Sequence, residues 1–467
     1  MTQDICLYLQ NGTRLMVPNR LDAITTYVIL EQERWFEKEW RFVDRLLEPG
    51  MTALDIGANL GIYAIGMAKA VGPTGRVYAY EPTSVTRARL ELSASINGAE
   101  NLTVIGSALS DTEREGRIVF GTSSELNRLG DADEGTGEAV HLTSVDLEAK
   151  RLNWGAIDFI KMDAEGEELK IIAGGHSVFA KGTPIVMFEI KSETASDLTV
   201  ARQFEAMGYG LYRLLADEQH LVPFAEDDLD SFELNLFAIK PETAQRLVAR
   251  DIVATDVGAI VEPGDWQGFV DGLPCRTIEP MFDTPPEPGG YARGLAAYAG
   301  WRDERRPIAD RYACLRDALF RLRGAAEEDR SLSRLLSLAR AEYDAGHRAR
   351  SYDLLVDCAK ALDRGEMPGT AFVPASSRSE HLVGPFKPWL LASCIEALQQ
   401  RGSYSTFYGS ALPQLDWVAS TPFSSSEIER RRALSAALRG RNIELRRDLR
   451  RPAQDHLNAE AWVRLMG

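Results

Sequence analysis

Residues 51–240 alternate short apolar runs with helical patterns, and this alternation constrains the fold more than any other feature. Seven of the runs are rich in β-branched and aromatic residues, as buried strands are. Strands that alternate with helices are typical of a parallel sheet with crossover helices, so we predict an α/β fold. Only a polar, acidic loop, 216–231, separates the last two runs, which predicts an antiparallel hairpin at one sheet edge. The predicted strands are Thr52–Ile56, Arg76–Tyr80, Leu102–Ile105, Ile157–Met162, Ile185–Ile190, Tyr209–Leu214 and Glu233–Ile239.

The region before this sheet, residues 1–50, predicts two elements that lead into it. Ile5–Val17 is expected to form a hairpin around Asn11-Gly12, a favoured turn sequence. Leu30–Leu47 is predicted to be one helix, which Pro49-Gly50 stops.

The region after the sheet changes character twice. Residues 241–300 are rich in proline and fit neither period, so we predict a linker or extended arm. Residues 301–467 predict a mostly α-helical domain, in which the helices 332–345 and 350–362 resemble a tetratricopeptide-type hairpin, although one unit is not a repeat. The arginine-rich segment 429–451 predicts a helix with a solvated face, and contact with a polyanion is the alternative. This helical domain is a candidate surface for self-association or for a protein partner.

Composition and charge exclude several classes of protein. Hydrophobic residues make up 45% and charged residues 26% of 467, as in an average globular protein. No apolar run approaches the ~20 residues of a membrane span, and residues 1–20 lack the pattern of a signal peptide, so we expect a cytoplasmic protein. The five cysteines form no CxxC pair, which argues against a zinc or redox motif. The whole formal net charge of −16 falls in residues 1–240, which argues against a nucleic-acid partner there.

A glycine-rich turn follows the first predicted strand and opens a helix. Its spacing, Gly57, Asn59, Gly61, lacks the second glycine through which dinucleotide folds admit a pyrophosphate. Asp55 lies just before the turn, where a negative charge opposes a phosphate and favours a cation. Glu81, at the end of the next strand, can accept hydrogen bonds from both ribose hydroxyls. These residues together favour a positively charged nucleoside, and S-adenosylmethionine fits that description.

The same residues resemble the FkbM family of S-adenosylmethionine-dependent methyltransferases over about residues 30–240. Four runs carry the resemblance: LDIGANLGIYAIGMA, YAYEP, IDFIKMDAEGEELKIIAGG and VMFEI. The resemblance implies a class I methyltransferase fold, Rossmann-like with seven strands, and methyl transfer to a hydroxyl of a sugar, a glycan or a polyketide-type natural product. It implies cofactor contacts at Asp55, Gly57, Asn59, Gly61 and Glu81, with the adenine near Ser107 and Ala108.

Three carboxylates are expected to converge beyond the strand ends, where open parallel sheets bind ligands. Asp163 and Glu165 follow the fourth predicted strand, and Glu189 lies near the end of the fifth. A hydroxyl needs a base for its proton, and we predict Asp163 for this role, with Glu165 and Glu189 beside it; helix capping is the alternative for the first two. A divalent metal held by all three is an alternative that we favour less, and no metal site is predicted. His141 is a further candidate base, and Lys161 is expected to face away with a structural role.

Two other functions remain as alternatives from the sequence. A nicotinamide-dependent oxidoreductase would share the fold, but Asp55 and the missing glycine argue against it. A non-catalytic scaffold with a vestigial methyltransferase domain would place the function in the helical half. The long acidic segment 121–139 is a candidate lid or substrate wall, or else a disordered loop. Trp35, Phe36 and Trp40 are candidates to stack on an acceptor ring, and core packing is the simpler interpretation.

Overall fold

The structure is a computed structural model that describes residues 4–121, 128–130, 136–192, 195–254, 262–278, 282, 286–441 and 457–466. The chain forms two compact units. The first comprises residues 1–213, 233–249 and 453–467, and the second comprises 214–232 and 250–452. None of the helices in the described part of the chain is both long and apolar enough to cross a membrane.

The first unit contains most of the strands of the chain. It begins with the hairpin of β1 and β2, paired antiparallel from Ile5↔Val17 to Tyr8↔Arg14, as predicted around Asn11-Gly12. Its further elements are α1 Ile24–Gln32, α2 Glu39–Leu46, β3 Thr52–Ile56, α3 Ile62–Val71, β4 Arg76–Tyr80, α4 Ser84–Asn97, β5 Leu102–Ile105, β6 Ser107–Ser110, β7 Arg114–Val119, β8 Arg128–Leu129, β9 Gly137–Ser144, α5 Val145–Arg151, β10 Phe159–Met162, α6 Glu168–Gly174, β11 Ile185–Glu189, β12 Lys191–Ser192, β13 Ala195–Ser196, α7 Thr199–Ala206, β14 Gly210–Leu214, whose last residue begins the second unit, β16 Asn235–Ile239, α8 Pro241–Ala249 and α18 Ala459–Met466.

The central sheet has the order β15-β14-β16-β11-β10-β3-β4-β5. The pairs from β11 to β5 are parallel, and β16 pairs antiparallel with both β11 and β14, so the predicted edge hairpin is confirmed. Seven strands match the predicted ones, with ends that differ by at most two residues. The eighth, β15 (Leu221–Pro223), lies in the segment predicted as a loop, because a three-residue strand is too short to show a period.

In the rest of the first unit, one prediction is wrong and one sheet was not predicted. The helix predicted over Leu30–Leu47 is divided into α1 and α2, because Glu33 adopts a left-handed conformation with φ of 60° and ends α1. A second sheet of four strands, in the order β6-β9-β7-β8, was not predicted. Its strands carry glycines and charged residues that hide the alternation on which strand prediction depends. Residues 122–127 and 131–135 lie outside the described residues, so the proposed lid stays a prediction.

The second unit is helical, as predicted for residues 301–467, but it begins earlier. The predicted linker 241–300 is wrong where it is described: α8 belongs to the first unit, and buried Trp266, Cys275 and Tyr298 belong to the core of the second. Helices α12 and α13 pack as a hairpin around Gly346, whose φ is 89°. The helices of the second unit are α9 Trp266–Asp271, α10 Gly290–Trp301, α11 Ile308–Glu328, α12 Leu332–Asp344, α13 Arg348–Asp363, α14 Ser377–Glu380, α15 Phe386–Gly402, α16 Leu415–Ala419 and α17 Ser426–Leu438.

The arginine-rich segment is a shorter helix than predicted, and its described part is not a solvated face. Helix α17 ends at Leu438, and Gly440 follows with φ of 64°. Arg430 and Arg431 are buried, and Arg432 forms ion pairs with Asp416 and Glu429. Residues 442–456, which include Arg446, Arg447, Arg450 and Arg451, lie outside the described residues.

Candidate functional site

The glycine turn between β3 and α3 is held against two neighbouring strands. The backbone N–H groups of Gly57 and Ala58 both donate to the carbonyl of Tyr80 at the end of β4. Gly57 has φ of 78°, and a Cβ there would lie 1.8 Å from the carbonyl oxygen of Asp163. Gly61 begins α3 with φ of 88°, and its Cβ would lie 2.3 Å from Leu90. Both glycines are therefore required by the backbone conformation and by the close approach of neighbouring atoms.

Asp55 carries a buried carboxylate that has no hydrogen-bond partner among the described residues. The residue is 1% exposed, and neither carboxylate oxygen makes a hydrogen bond of ordinary geometry to the described residues. Burial raises its pKa to about 6; Lys161 lowers it in part, Asp163 raises it, and the backbone of Ala64 exerts a small lowering effect. A buried carboxylate of this kind is expensive unless a partner arrives, so Asp55 is suited to bind a cation or a hydrogen-bond donor.

Glu81 is fixed at the tip of the neighbouring strand, β4. Its Oε2 accepts the backbone N–H of Asn59 at 3.0 Å, and its Oε1 accepts that of Thr83 at 2.8 Å. Burial raises the pKa of Glu81, and these two backbone donors oppose the rise. Asn59 has φ of 47°, and its side-chain oxygen is buried without a partner among the described residues. The turn thus presents two carboxylates and an amide at the ends of adjacent parallel strands.

Asp163, Glu165 and Glu189 lie together, as the sheet rule predicts. One oxygen of each carboxylate lies within 4.8 Å of the other two. Asp163 is one-third exposed at the side chain, Glu165 is exposed, and Glu189 is half-buried. Burial and the negative charges of Asp163 and Glu165 raise the pKa of Glu189 far above its ordinary range. The arrangement therefore favours the protonated form of Glu189.

Lys161 does not face away from the site, contrary to the prediction. Positions 161 and 163 have the same parity along the strand direction, so their side chains leave the same face. Lys161 Nζ donates to Asp163 Oδ2 at 2.7 Å and lies 5.1 Å from the centroid of the Tyr63 ring. Lys161 also stands opposite Asp55 in the register of β10 and β3.

Glu37 is a site residue that the sequence did not indicate. Its Oε1 accepts the Trp35 indole N–H at 2.7 Å, and its Oε2 accepts the Tyr63 hydroxyl at 2.8 Å. Burial raises the pKa of Glu37, Lys161 lowers it and Asp163 raises it. Glu37 lies in the irregular segment between α1 and α2, where no periodic pattern marks its orientation. Trp35 and Trp40 are buried, which supports core packing.

Several other predicted residues lie apart from this cluster or play different parts. His141 lies on β9, more than one-third exposed, where Nε2 is 3.2 Å from Glu113. Ala108 packs in the core of the small sheet, and Ser107 is half-buried on the same strand, β6. Glu168 is buried and accepts the backbone N–H groups of Ala164 and Gly166 at 2.9 and 3.1 Å.

A comparison with protein families identifies one domain in this chain. Residues 55–211 match the family model of the methyltransferase FkbM domain. No curated protein matches the chain. Among solved structures, a methyltransferase FkbM from Methylobacillus flagellatus is 18% identical over 40% of this chain and 43% of its own, with a TM-score of 0.29. A SAM-dependent O-methyltransferase from Thermotoga maritima is 14% identical over 51% of this chain and 93% of its own, with a TM-score of 0.28. The chain therefore spans less than half of the Methylobacillus structure.

Proposed function

We propose, from the premise that residues 55–211 form a methyltransferase domain of the FkbM type, that this protein transfers the methyl group of S-adenosylmethionine to a hydroxyl oxygen. The acceptor class that we propose is a sugar, a glycan or a polyketide-type natural product. One observation carries the proposal: the buried carboxylate of Asp55 has no hydrogen-bond partner in the described part of the chain, and it lies beside a glycine turn whose other side presents Glu81.

The residues present fit this cofactor. Asp55 would face its positively charged amino acid part, and Glu81 would accept the ribose hydroxyls with the lone pairs that Asn59 and Thr83 leave available. Gly57 and Gly61 allow close approach of the backbone, and Asn59 offers its unpartnered oxygen. Ser107 and Ala108 remain the proposed adenine contacts. When bound, the cofactor supplies an electrophilic methyl group, and the chemistry that remains is activation of the acceptor.

Asp163 is the proposed base. Its carboxylate would take the proton of the acceptor hydroxyl as the acceptor oxygen gains the methyl group and the methyl–sulfur bond of the cofactor breaks. The products would be a neutral methyl ether, S-adenosylhomocysteine and protonated Asp163. Lys161 Nζ donates to Asp163 Oδ2 and so holds this carboxylate in place, whereas burial and repulsion raise the pKa of Glu189 and favour its protonated form. Glu189 can then donate a hydrogen bond that orients the acceptor, and exposed Glu165 lies where the acceptor would enter.

Calorimetry with S-adenosylhomocysteine tests the cofactor part of the proposal. We expect the wild-type protein to bind it, and Asp55→Asn and Glu81→Gln each to weaken the affinity at least tenfold, since each removes a charged hydrogen-bond acceptor. Glu91→Gln is the matched control, because Glu91 is an exposed carboxylate on α4. Equal affinity in all four proteins would remove the assignment.

Methyl transfer tests the base. Labelled S-adenosylmethionine and an extract of the source cells identify the acceptor through its labelled product. With that acceptor, Asp163→Asn should bind the cofactor normally and lose turnover by roughly 10²–10⁴-fold. Full activity in this variant would transfer the role of base to Glu189 or His141.

A divalent metal is the second candidate for activating the acceptor. The three carboxylates of Asp163, Glu165 and Glu189 lie close enough to share an ion, which would relieve their repulsion. Lys161 already supplies positive charge to Asp163, which is why we favour the metal-free base. Loss of methylation in EDTA, restored by Mg²⁺, would favour the metal.

A further inference from the structure

Lys161 occupies the middle of the site between its two halves. The residue is 4% exposed on the central strand β10. On one side it stands opposite Asp55 in the register with β3, and on the other its Nζ donates to Asp163 Oδ2 at 2.7 Å. The Tyr63 ring lies against the ammonium group at 5.1 Å from Nζ to the ring centroid.

The groups that face Lys161 come from every element packed against it. Asp55 comes from β3, Asp163 from the loop after β10, and Glu189 from the end of β11. Glu37 comes from the segment between α1 and α2, and Tyr63 comes from α3. Burial by itself lowers the pKa of a lysine, but the attraction of Asp163, Asp55 and Glu37 more than offsets it and raises the pKa of Lys161. The ammonium is therefore charged at any pH at which these carboxylates are ionised.

We infer that Lys161 is a positioning residue that serves both halves of the site, because it holds the carboxylate of Asp163 in place for the acceptor and balances the charge of Asp55 for the cofactor. The inference rests on the proposed function. The bond to Asp163 Oδ2 fixes that side chain and leaves its other oxygen for the acceptor hydroxyl. Lys161 itself touches neither the acceptor nor the methyl group in this account.

Three variants separate charge from packing. Lys161→Met keeps most of the volume and removes the charge, and Lys161→Arg keeps the charge. Lys170→Met is the control, since Lys170 is an exposed lysine of α6 that pairs with Glu167, a residue that is not among the groups facing Lys161. If Lys161→Met does not fold, Lys161→Gln gives the same test, because it keeps a hydrogen-bond donor without a charge.

The readout is the affinity for S-adenosylmethionine and S-adenosylhomocysteine by calorimetry between pH 5 and pH 9, which needs no acceptor. In the wild type, affinity should fall on acidification with a midpoint near pH 6, as Asp55 takes up a proton. In Lys161→Met the midpoint should move upward by roughly 1–3 pH units, because a carboxylate that loses a nearby cation is harder to ionise. Lys161→Arg and Lys170→Met should keep the wild-type midpoint.

Once the acceptor is identified, turnover gives a second measurement. Lys161→Met should lose turnover by about 10²-fold, because the base is misplaced.

Two results would overturn the inference and leave the proposed function intact. One is an unchanged midpoint in Lys161→Met together with a lower melting temperature, which would make Lys161 a packing residue. The other is an equal shift in Lys161→Met and Lys161→Arg, which would make the effect one of shape. A wild-type protein that binds neither compound would overturn the proposed function itself, and the inference with it.

Discussion

Asp55 is the residue at which folding and function oppose each other. Its carboxylate is buried without a hydrogen-bond partner among the described residues, which destabilises the folded chain. Buried polar groups of this kind occur mostly at functional sites. Its position before a glycine turn, with Glu81 one strand away, was visible in the sequence because strand ends and turns have strong signals. The absence of a protein partner was not visible, since burial depends on packing from distant segments.

Asp55→Asn should stabilise the free protein while it weakens cofactor binding. The pKa of Asp55 is about 6 in the folded state against an ordinary value of 3.8, so its ionisation lowers stability as the pH rises from about 4 to 6. Two pKa units correspond to up to about 3 kcal/mol, which the variant should regain at pH 8 and largely not at pH 4. Melting temperatures of both proteins across this pH range measure the effect. A variant less stable than the wild type at pH 8 would show that Asp55 has a stabilising partner.

Gly57→Ala should displace the turn from Asp163. The new Cβ would lie 1.8 Å from the Asp163 carbonyl oxygen, so backbone must move, and we expect loss of S-adenosylhomocysteine binding in calorimetry. Gly98→Ala is the control, because Gly98 has φ of 64° and open space around its Cβ position. It shares the backbone strain of ~1 kcal/mol without the collision. Similar losses of stability and no loss of binding in either variant would contradict the role of the close approach.

Lys161 and Glu37 show where residue-level reasoning failed. Lys161 was assigned to the wrong face although it shares parity with Asp163, and the strand alternation could have identified it. Glu37 had no such signal, because it lies where α1 and α2 are separated. Its orientation depends on Tyr63 and Trp35, which only the fold brings near.

Among the secondary-structure elements, strands buried on both faces could be predicted from the sequence, whereas amphipathic strands and helices could not. The parallel strands are continuous apolar runs, for which sequence signals are strong. The strands of the small sheet are partly exposed, and the pairing of β6 with β9 joins segments that β7 and β8 separate in the chain. For the proline-rich stretch after the sheet we predicted a linker, and helices α8 and α10 occur there instead. Prolines lie at the start of α8 and before the start of α10, so they mark helix boundaries and do not interrupt the helices.

Glu168→Ala should loosen the loop that carries Glu165. Glu168, the first residue of α6, accepts the N–H groups of Ala164 and Gly166 in the loop that leads into the helix. Its loss leaves two donors without a partner, which costs about 1–3 kcal/mol. We expect turnover to fall more than cofactor affinity, since the loop lies on the acceptor side. Leu169→Ala is the control, because Leu169 is exposed, and it should change neither turnover nor cofactor affinity. Equal turnover and affinity in the two variants would contradict the role of Glu168 in holding the loop.

At the scale of the whole molecule, the last residues of the chain return to the first unit. Asn458, just before α18, accepts the backbone N–H of Tyr8 at 2.6 Å and donates to its carbonyl at 2.9 Å. No local pattern predicts a contact between residues 450 positions apart. A chain cut after residue 240 therefore lacks parts of the first unit, including α8 and α18, and all of the second unit except residues 214–232.

Asn458→Ala should destabilise the first unit through this contact. Two hydrogen bonds to the backbone of Tyr8 are lost, at about 0.5–1.5 kcal/mol each, so we expect about 1–3 kcal/mol of destabilisation. Hydrogen exchange at Tyr8 and along β1 should accelerate, while β10 in the central sheet exchanges as before. Unchanged exchange at Tyr8 would show that α18 does not hold the N-terminal hairpin in solution.

The buried carboxylate of Asp55 lies beside the glycine turn and has no hydrogen-bond partner among the described residues. Our main proposal is that it binds a charged adenosine compound. A crystal structure of the protein with S-adenosylhomocysteine tests it most directly. We predict electron density for the compound beside Gly57 and Gly61, in the crevice between Asp55 and Glu81. Its ribose hydroxyls should bond to Glu81, and its amino group should lie nearest Asp55. An ordered crystal grown with the compound, in which that crevice holds no ligand or is closed by a side chain, would contradict the account.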